Sequence, residues 1–83
     1  MRYEDIEKFM TNKTGNPTVE IRFKTRQPVR GMFIKTADYT ELSRKNLWRI
    51  VSERSMEPYN KSKDLNLSRI FNGAEFTKLE QVK

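Results

Sequence analysis

The first residues of the chain carry apolar side chains at helical spacing. These residues are Tyr3, Ile6, Phe9 and Met10. Successive intervals of three, three and one place them on one stripe of a helix. Gly15 and Pro17 then favour an end to that helix. The pattern predicts an N-terminal helix within residues 1–14, which must dock its apolar stripe because a helix this short is marginal alone.

After Pro17, the apolar residues stand at every second position and no longer at helical spacing. Val19, Ile21 and Phe23 alternate with Glu20, Arg22 and Lys24. Such alternation is typical of a strand with one buried and one solvated face. Val29 to Lys35 predicts a second strand with apolar side chains on both faces and with Gly31 inside it. A glycine there marks a bend, a bulge or a close backbone approach.

Three further strands are expected in the second half of the chain. Leu47 to Ser52 reads as the third strand, Leu65 to Phe71 as the fourth and Ala74 to Leu79 as the fifth. Asn72-Gly73 predicts a two-residue hairpin turn between the last two, because both central positions of that turn favour positive φ. The chain is then one domain, residues 1–83, with the first three strands in 18–52, a variable mobile loop in 53–64, the last hairpin in 65–79 and a tail in 80–83.

The amino-acid composition excludes several kinds of chemistry, and no motif in the sequence indicates catalysis. The 83 residues contain no Cys and no His, so disulfides, thiolate nucleophiles, sulfur-ligated metal sites and histidine bases are excluded. The eleven acidic residues form no tight cluster, and Gly-rich phosphate loops are absent. We therefore expect a protein without catalysis, cofactor, metal or small-molecule substrate. The polar start and the lack of a long apolar run predict no secretory signal or membrane span and a cytoplasmic protein.

Positive charge is concentrated in the middle of the chain. Seventeen basic against eleven acidic residues give a net charge of +6, and the segment from Ile21 to Arg54 holds nine basic against three acidic residues. Its densest patch consists of Arg22, Lys24, Arg26 and Arg30. Clustered cations are typical of a track for nucleic-acid phosphates. A solvated basic face that serves solubility is the alternative.

Two blocks of sequence resemble the Sm/LSm family of small β-barrels, which includes the bacterial Hfq proteins. The first block is Val19–Phe23 followed by Val29–Phe33 with its Gly31, and the second is Ile70–Gly73 with Phe76 and Leu79 at the family's spacing. The resemblance extends from about Tyr3 to Leu79. It implies a mainly β fold, in which an N-terminal helix is followed by a strongly bent five-stranded antiparallel Sm/SH3-like barrel. It also implies single-stranded RNA as a ligand and a ring-like homo-oligomer, in which the fourth strand pairs with the fifth of the next subunit.

Two loops correspond to the RNA pocket of that family. They carry Lys35, Asp38 and Tyr39 in one loop and Asn72 and Gly73 in the other. Their sequences depart from the family pattern, since Asn72 stands where many members have Arg and Asp38 falls one place late. Tyr39 could stack on a base and Lys35 hold a phosphate. Tyr39 covering the core edge, Asp38 in an Asx-turn and Asn72-Gly73 as a plain turn are the alternatives.

The sequence therefore predicts a non-catalytic module that binds single-stranded RNA with little base preference. The predicted nucleic-acid-binding residues are Arg22, Lys24, Arg26, Arg30, Lys35, Asp38, Tyr39, Asn72 and Gly73. A protein-interaction or assembly barrel without nucleic-acid binding is the alternative function.

Overall fold

The computed structural model describes residues 1–12 and 17–82, and it contains helices as well as strands. The helices are α1 (Tyr3–Thr11), α2 (Tyr39–Arg44) and α3 (Met56–Ser62). The strands are β1 (Val19–Phe23), β2 (Val29–Phe33), β3 (Leu47–Ser52), β4 (Ser68–Asn72) and β5 (Phe76–Gln81). Short 3-10 turns lie at Glu53–Ser55, Leu65–Leu67 and Gly73–Glu75. The protein is thus an N-terminal helix followed by a mixed arrangement dominated by strands.

All five strands form one antiparallel sheet in the order β4-β3-β2-β1-β5. The sheet is not closed into a barrel, because β4 and β5 are its two edges and no ladder joins them among the described residues. The predicted hairpin at Asn72-Gly73 is therefore wrong. Asn72 is extended, with φ −85° and ψ 117°, whereas the expected turn needs positive φ there. The 3-10 turn at Gly73–Glu75 instead connects β4, at one edge of the sheet, to β5 at the other edge.

One apolar face of the sheet is covered by α1. Ile6 is fully buried there, and Phe9 and Met10 pack against the same cluster, as the helical spacing predicted. Tyr3, the remaining residue of the predicted stripe, is exposed instead. The other cluster members are Val19, Ile21, Phe33, Trp48, Ile50, Phe76 and Leu79. The predicted end of the helix at Gly15 lies outside the described residues. The predicted alternation of β1 is confirmed, since Val19 and Ile21 are buried whereas Arg22 is exposed.

The opposite face of β2 and β3 has a separate apolar cluster. Met32, Ile34 and Val51 pack there against Tyr59 of α3, with Met56 at its border. The expected mobile loop at 53–64 is therefore wrong, because this segment contains a helix. Met56 and Tyr59 are three residues apart and reach the same face of α3. Burial against the second face of the sheet outweighs the polar composition of this segment.

The start of the chain meets the connection between β4 and β5. The Met1 ammonium donates hydrogen bonds to the carbonyl oxygens of Gly73 and Phe76, at 2.9 and 2.6 Å. The Asn46 amide donates to the Met1 carbonyl oxygen at 2.9 Å, and the Gly73 N–H donates to the Asn46 carbonyl oxygen at 2.7 Å. These contacts fix the ends of the sheet relative to α1.

Gly31→Ala is expected to destabilise the fold, because β3 approaches β2 closely at this position. A Cβ on Gly31 would lie 2.6 Å from the Val51 carbonyl oxygen and 2.9 Å from Ile50 Cγ2. Relieving such overpacking costs about 1–3 kcal/mol. Urea unfolding followed by Trp48 fluorescence measures the loss. The control Thr77→Ala, at an exposed site in β5, should cost about 1 kcal/mol or less. Equal midpoints for Gly31→Ala and the wild type would contradict the packing described here.

Candidate nucleic-acid interface

Two cations of the predicted basic patch share one carboxylate. Arg22 Nη2 lies 3.2 Å from Glu20 Oε2, and Arg30 Nε lies 3.3 Å from Glu20 Oε1. The β1–β2 register explains this arrangement, because Glu20 is directly opposite Arg30. Both arginine side chains stay more than half exposed. Part of the charge of this patch is thus neutralised within the sheet.

The connection between β1 and β2 presents the other two cations of the patch. Lys24 and Arg26 are exposed, and within residues 1–12 and 17–82 neither has a carboxylate partner. The Arg26 guanidinium lies 5.1 Å from the ring centre of Phe23 and 5.6 Å from that of Phe71. This stacking orients Arg26 across the space between β1 and β4 without cancelling its charge.

Tyr39 is held against the core by three neighbours. Its ring meets Trp48 edge-on at 6.0 Å between centres, and its hydroxyl donates to Glu7 Oε2 at 3.4 Å. Lys35 Nζ lies 5.3 Å from the ring centre. Burial, together with the nearby Glu7 carboxylate, raises the pKa of Tyr39 to about 12. This arrangement matches the alternative in which Tyr39 covers the core edge, although Lys35 stays exposed beside it.

Asp38 anchors an arginine of β3. Its carboxylate accepts hydrogen bonds from the Thr36 hydroxyl and, at 2.8 Å, from Arg49 Nη2. Two contacts lower the pKa of Asp38 below its usual range: the hydrogen bond from Thr36 has the larger effect, and the hydrogen bond from Arg49 has the next largest. Its side chain makes no capping bond to α2. Arg49 is mostly buried, and its Nε has no hydrogen-bond partner in the described structure.

Asn72 and Gly73 build the connection between the sheet edges. The Asn72 side-chain oxygen accepts a hydrogen bond from the Ala74 N–H at 2.9 Å. Gly73 is buried, and a Cβ there would collide with the side chains of Asn46 and Ile6. Among the described residues, neither Asn72 nor Gly73 makes a hydrogen bond or ring contact with Lys35, Asp38 or Tyr39. The two predicted loops therefore do not share a bonded network.

A groove brings together cations that lie far apart in the sequence. It encloses about 750 Å³. Its lining includes Arg26, Arg30, Arg54 and Arg69, the glutamates Glu20 and Glu53, and the apolar residues Val29, Leu67 and Phe71. Two of these arginines, Arg54 and Arg69, were not among the predicted residues. Arg69 has a sequence signal, since it stands two positions before Phe71 and so shares its strand face. Arg54 has none that we recognise.

The described residues offer no group of three or more acidic, histidine or cysteine side chains that could hold a metal ion. None of the helices in the described parts of the chain has the length and apolar character needed to cross a bilayer. Comparison with protein-family models, with curated proteins and with solved structures gives no match. The Sm-like resemblance therefore stays a prediction from the sequence.

Asp38→Asn is expected to lower stability at pH 7, because Arg49 loses the charge of its partner carboxylate. The wild-type stabilisation from a lowered pKa is fully present above the ordinary pKa that Asp38 has in the unfolded chain, and it is lost as the pH falls through the lower folded-state pKa. The gap between variant and wild type should thus narrow towards low pH. Urea midpoints at pH 7 and pH 3 test this, with the exposed Glu57→Gln as control. A gap of the same size at both pH values would refute the role of Asp38.

Proposed function

We propose that this chain is a non-catalytic module that binds single-stranded RNA with little base preference. The observation that carries the proposal is a set of exposed cations that form no ion pair with a carboxylate of the chain. Lys24, Arg26, Arg54 and Arg69 have no carboxylate within ion-pair distance in the described parts of the chain. Such cations can meet phosphates without breaking an existing ion pair, and phosphate contacts dominate nucleic-acid affinity.

The low base preference follows from the types of side chain at this surface. Lysine and arginine contacts to phosphate position a strand but carry no sequence information. Tyr39, the predicted stacking residue, is engaged with Trp48 and Glu7. The half-buried Phe71 lies under Arg26 and offers aromatic surface beside this cation. A strand held mainly through its backbone would tolerate many sequences.

An Sm-like arrangement of the five strands remains part of this proposal, although the sheet of one chain is not closed into a barrel. The strand order supports it, because β4 and β5 are the two edges that the resemblance expects to pair between subunits. The sheet of a single chain is open, so a neighbour would complete it. Ile70 on β4 is 47% exposed, which leaves a large apolar side chain uncovered on that edge strand. Unprotected edges favour pairing with another strand. These features also support the alternative of an assembly module.

The RNA proposal predicts salt-dependent binding to both oligo-uridine and oligo-adenine. The logarithm of the association constant should fall linearly with the logarithm of salt concentration, by about 0.7 for each phosphate neutralised. Fluorescence anisotropy at two or more salt concentrations measures this slope. Lys24→Ala with Arg26→Ala should weaken binding to both oligonucleotides alike. As a control, Lys78→Ala removes a cation that is already paired with Glu80. Absence of binding at low salt would exclude the proposed function.

The assembly proposal predicts a species larger than the 10.0 kDa chain at micromolar concentration and moderate salt. Ile70→Lys should return it to a monomer, because an exposed charge on an edge strand opposes pairing. Sedimentation equilibrium measures the mass of both proteins. Leu65→Lys is a useful comparison, since Leu65 is similarly exposed but lies outside β4. A single 10.0 kDa wild-type species would contradict the ring.

A further inference from the structure

We infer that the phosphodiester backbone of the bound RNA follows the groove lined by Arg26, Arg30, Arg54 and Arg69, and that Arg54 and Arg69 are phosphate-binding residues. This inference rests on the proposed RNA binding. It moves the centre of the interface away from Tyr39, which is the first residue of α2 and does not lie in the predicted loop between β2 and β3. The groove lies between the β1–β2 connection on one side and the Glu53–Ser55 and Leu65–Leu67 turns on the other.

The position of Arg69 is the first argument. Arg69 is directly opposite Ile50 in the β3–β4 register, and Phe71 is opposite Trp48. Opposed residues in an antiparallel pair share a face, so Arg69 projects on the face that carries the core. Ile50 and Trp48 are each 1% exposed, whereas Arg69 is exposed. The neighbouring Ile70 has the reverse arrangement, an apolar side chain exposed on the other face.

Burial alone does not account for this order of residues on β4. An apolar residue at position 69 would extend the core, and a polar one at position 70 would suit the solvent. In the observed sequence, the cation of Arg69 lies at the groove and stays exposed to solvent. No carboxylate in the described residues pairs with Arg69, so its charge is available to a ligand.

The charge of the lining is the second argument. Four arginines against two glutamates leave an excess of two positive charges, and these arginines are exposed. Glu20 is already shared by Arg22 and Arg30, which limits its repulsion of an anion. Arg54 has no carboxylate partner in the described parts of the chain. Guanidinium groups from separate segments thus line one groove, and their fork of donors matches phosphate oxygens.

The shape and the apolar lining favour a single strand. Val29, Leu67 and Phe71 are half-buried and form apolar surface beside the arginines. A flexible single strand can place phosphates on the cations while its bases or sugars contact that surface. A duplex stacks its bases inside, so their faces cannot contact that apolar surface. The inference therefore commits to single-stranded RNA, and duplex RNA is a comparison in the test.

Arg54→Ala with Arg69→Ala is the decisive variant. Its matched control is Lys8→Ala with Arg44→Ala, which removes the same charge at exposed sites outside the groove. The probe is a fluorescein-labelled ten-nucleotide oligo-uridine, titrated at several salt concentrations. The groove variant should reduce the salt slope by about 1.4, which is two contacts at about 0.7 each. The control should leave the slope unchanged. Arg54→Lys with Arg69→Lys should restore it, because the charges return.

The outcomes separate this inference from the proposed function. If wild-type protein binds but the groove variant and the control keep the same slope, the groove assignment is overturned and RNA binding stands. A wild-type protein that does not bind at low salt overturns both. Equal affinity for a duplex of the same length overturns the choice of a single strand. Far-ultraviolet circular dichroism and Trp48 fluorescence verify that every variant is folded, as expected for substitutions at exposed side chains.

Discussion

Asn46 holds together the parts of the fold that are most distant in sequence. Its side-chain oxygen accepts from Trp48 Nε1 at 2.8 Å, its amide donates to Met1, and its carbonyl accepts from Gly73. Asn46 has φ 60°, a left-handed conformation that asparagine adopts more readily than most residues. Each polar group of this residue thus has a partner in a different segment. Without Asn46, the buried Trp48 indole would lose its acceptor, at the cost of an unsatisfied polar group.

The sheet is stabilised on both faces although the chain is small. The α1 helix covers the larger cluster around Trp48, and α3 covers Met32 and Val51 on the opposite face. The close approach of β3 to Gly31 leaves no space for a side chain there. This two-sided burial explains how a chain with 34% charged residues and no disulfide can form an apolar interior.

Local periodicity was sufficient to predict α1 and β1, because each has a long enough apolar pattern of one period. It was insufficient for α3, where only Met56 and Tyr59 mark the buried side among polar residues. The Asn72-Gly73 pair favours a hairpin locally, but the bonds of Gly73 to Asn46 and Met1 come from distant segments. The basic character of the candidate interface was visible in the composition. The place of Arg54 in the groove had no sequence signal, and that of Arg69 was indicated only by its position two residues before Phe71, because their segments meet only in the folded chain.

The pairing of β1 with β5 joins two strands that are far apart in the sequence. Ile21 is paired with Leu79, 58 residues later in the chain. Closing a loop of that length costs conformational entropy before stabilising contacts can form. We therefore expect this protein to fold more slowly than a helical bundle of similar size. During synthesis, β1 is made well before its partner β5. The edge of β1 that pairs with β5 must therefore stay exposed to solvent while the intervening strands and helices are made.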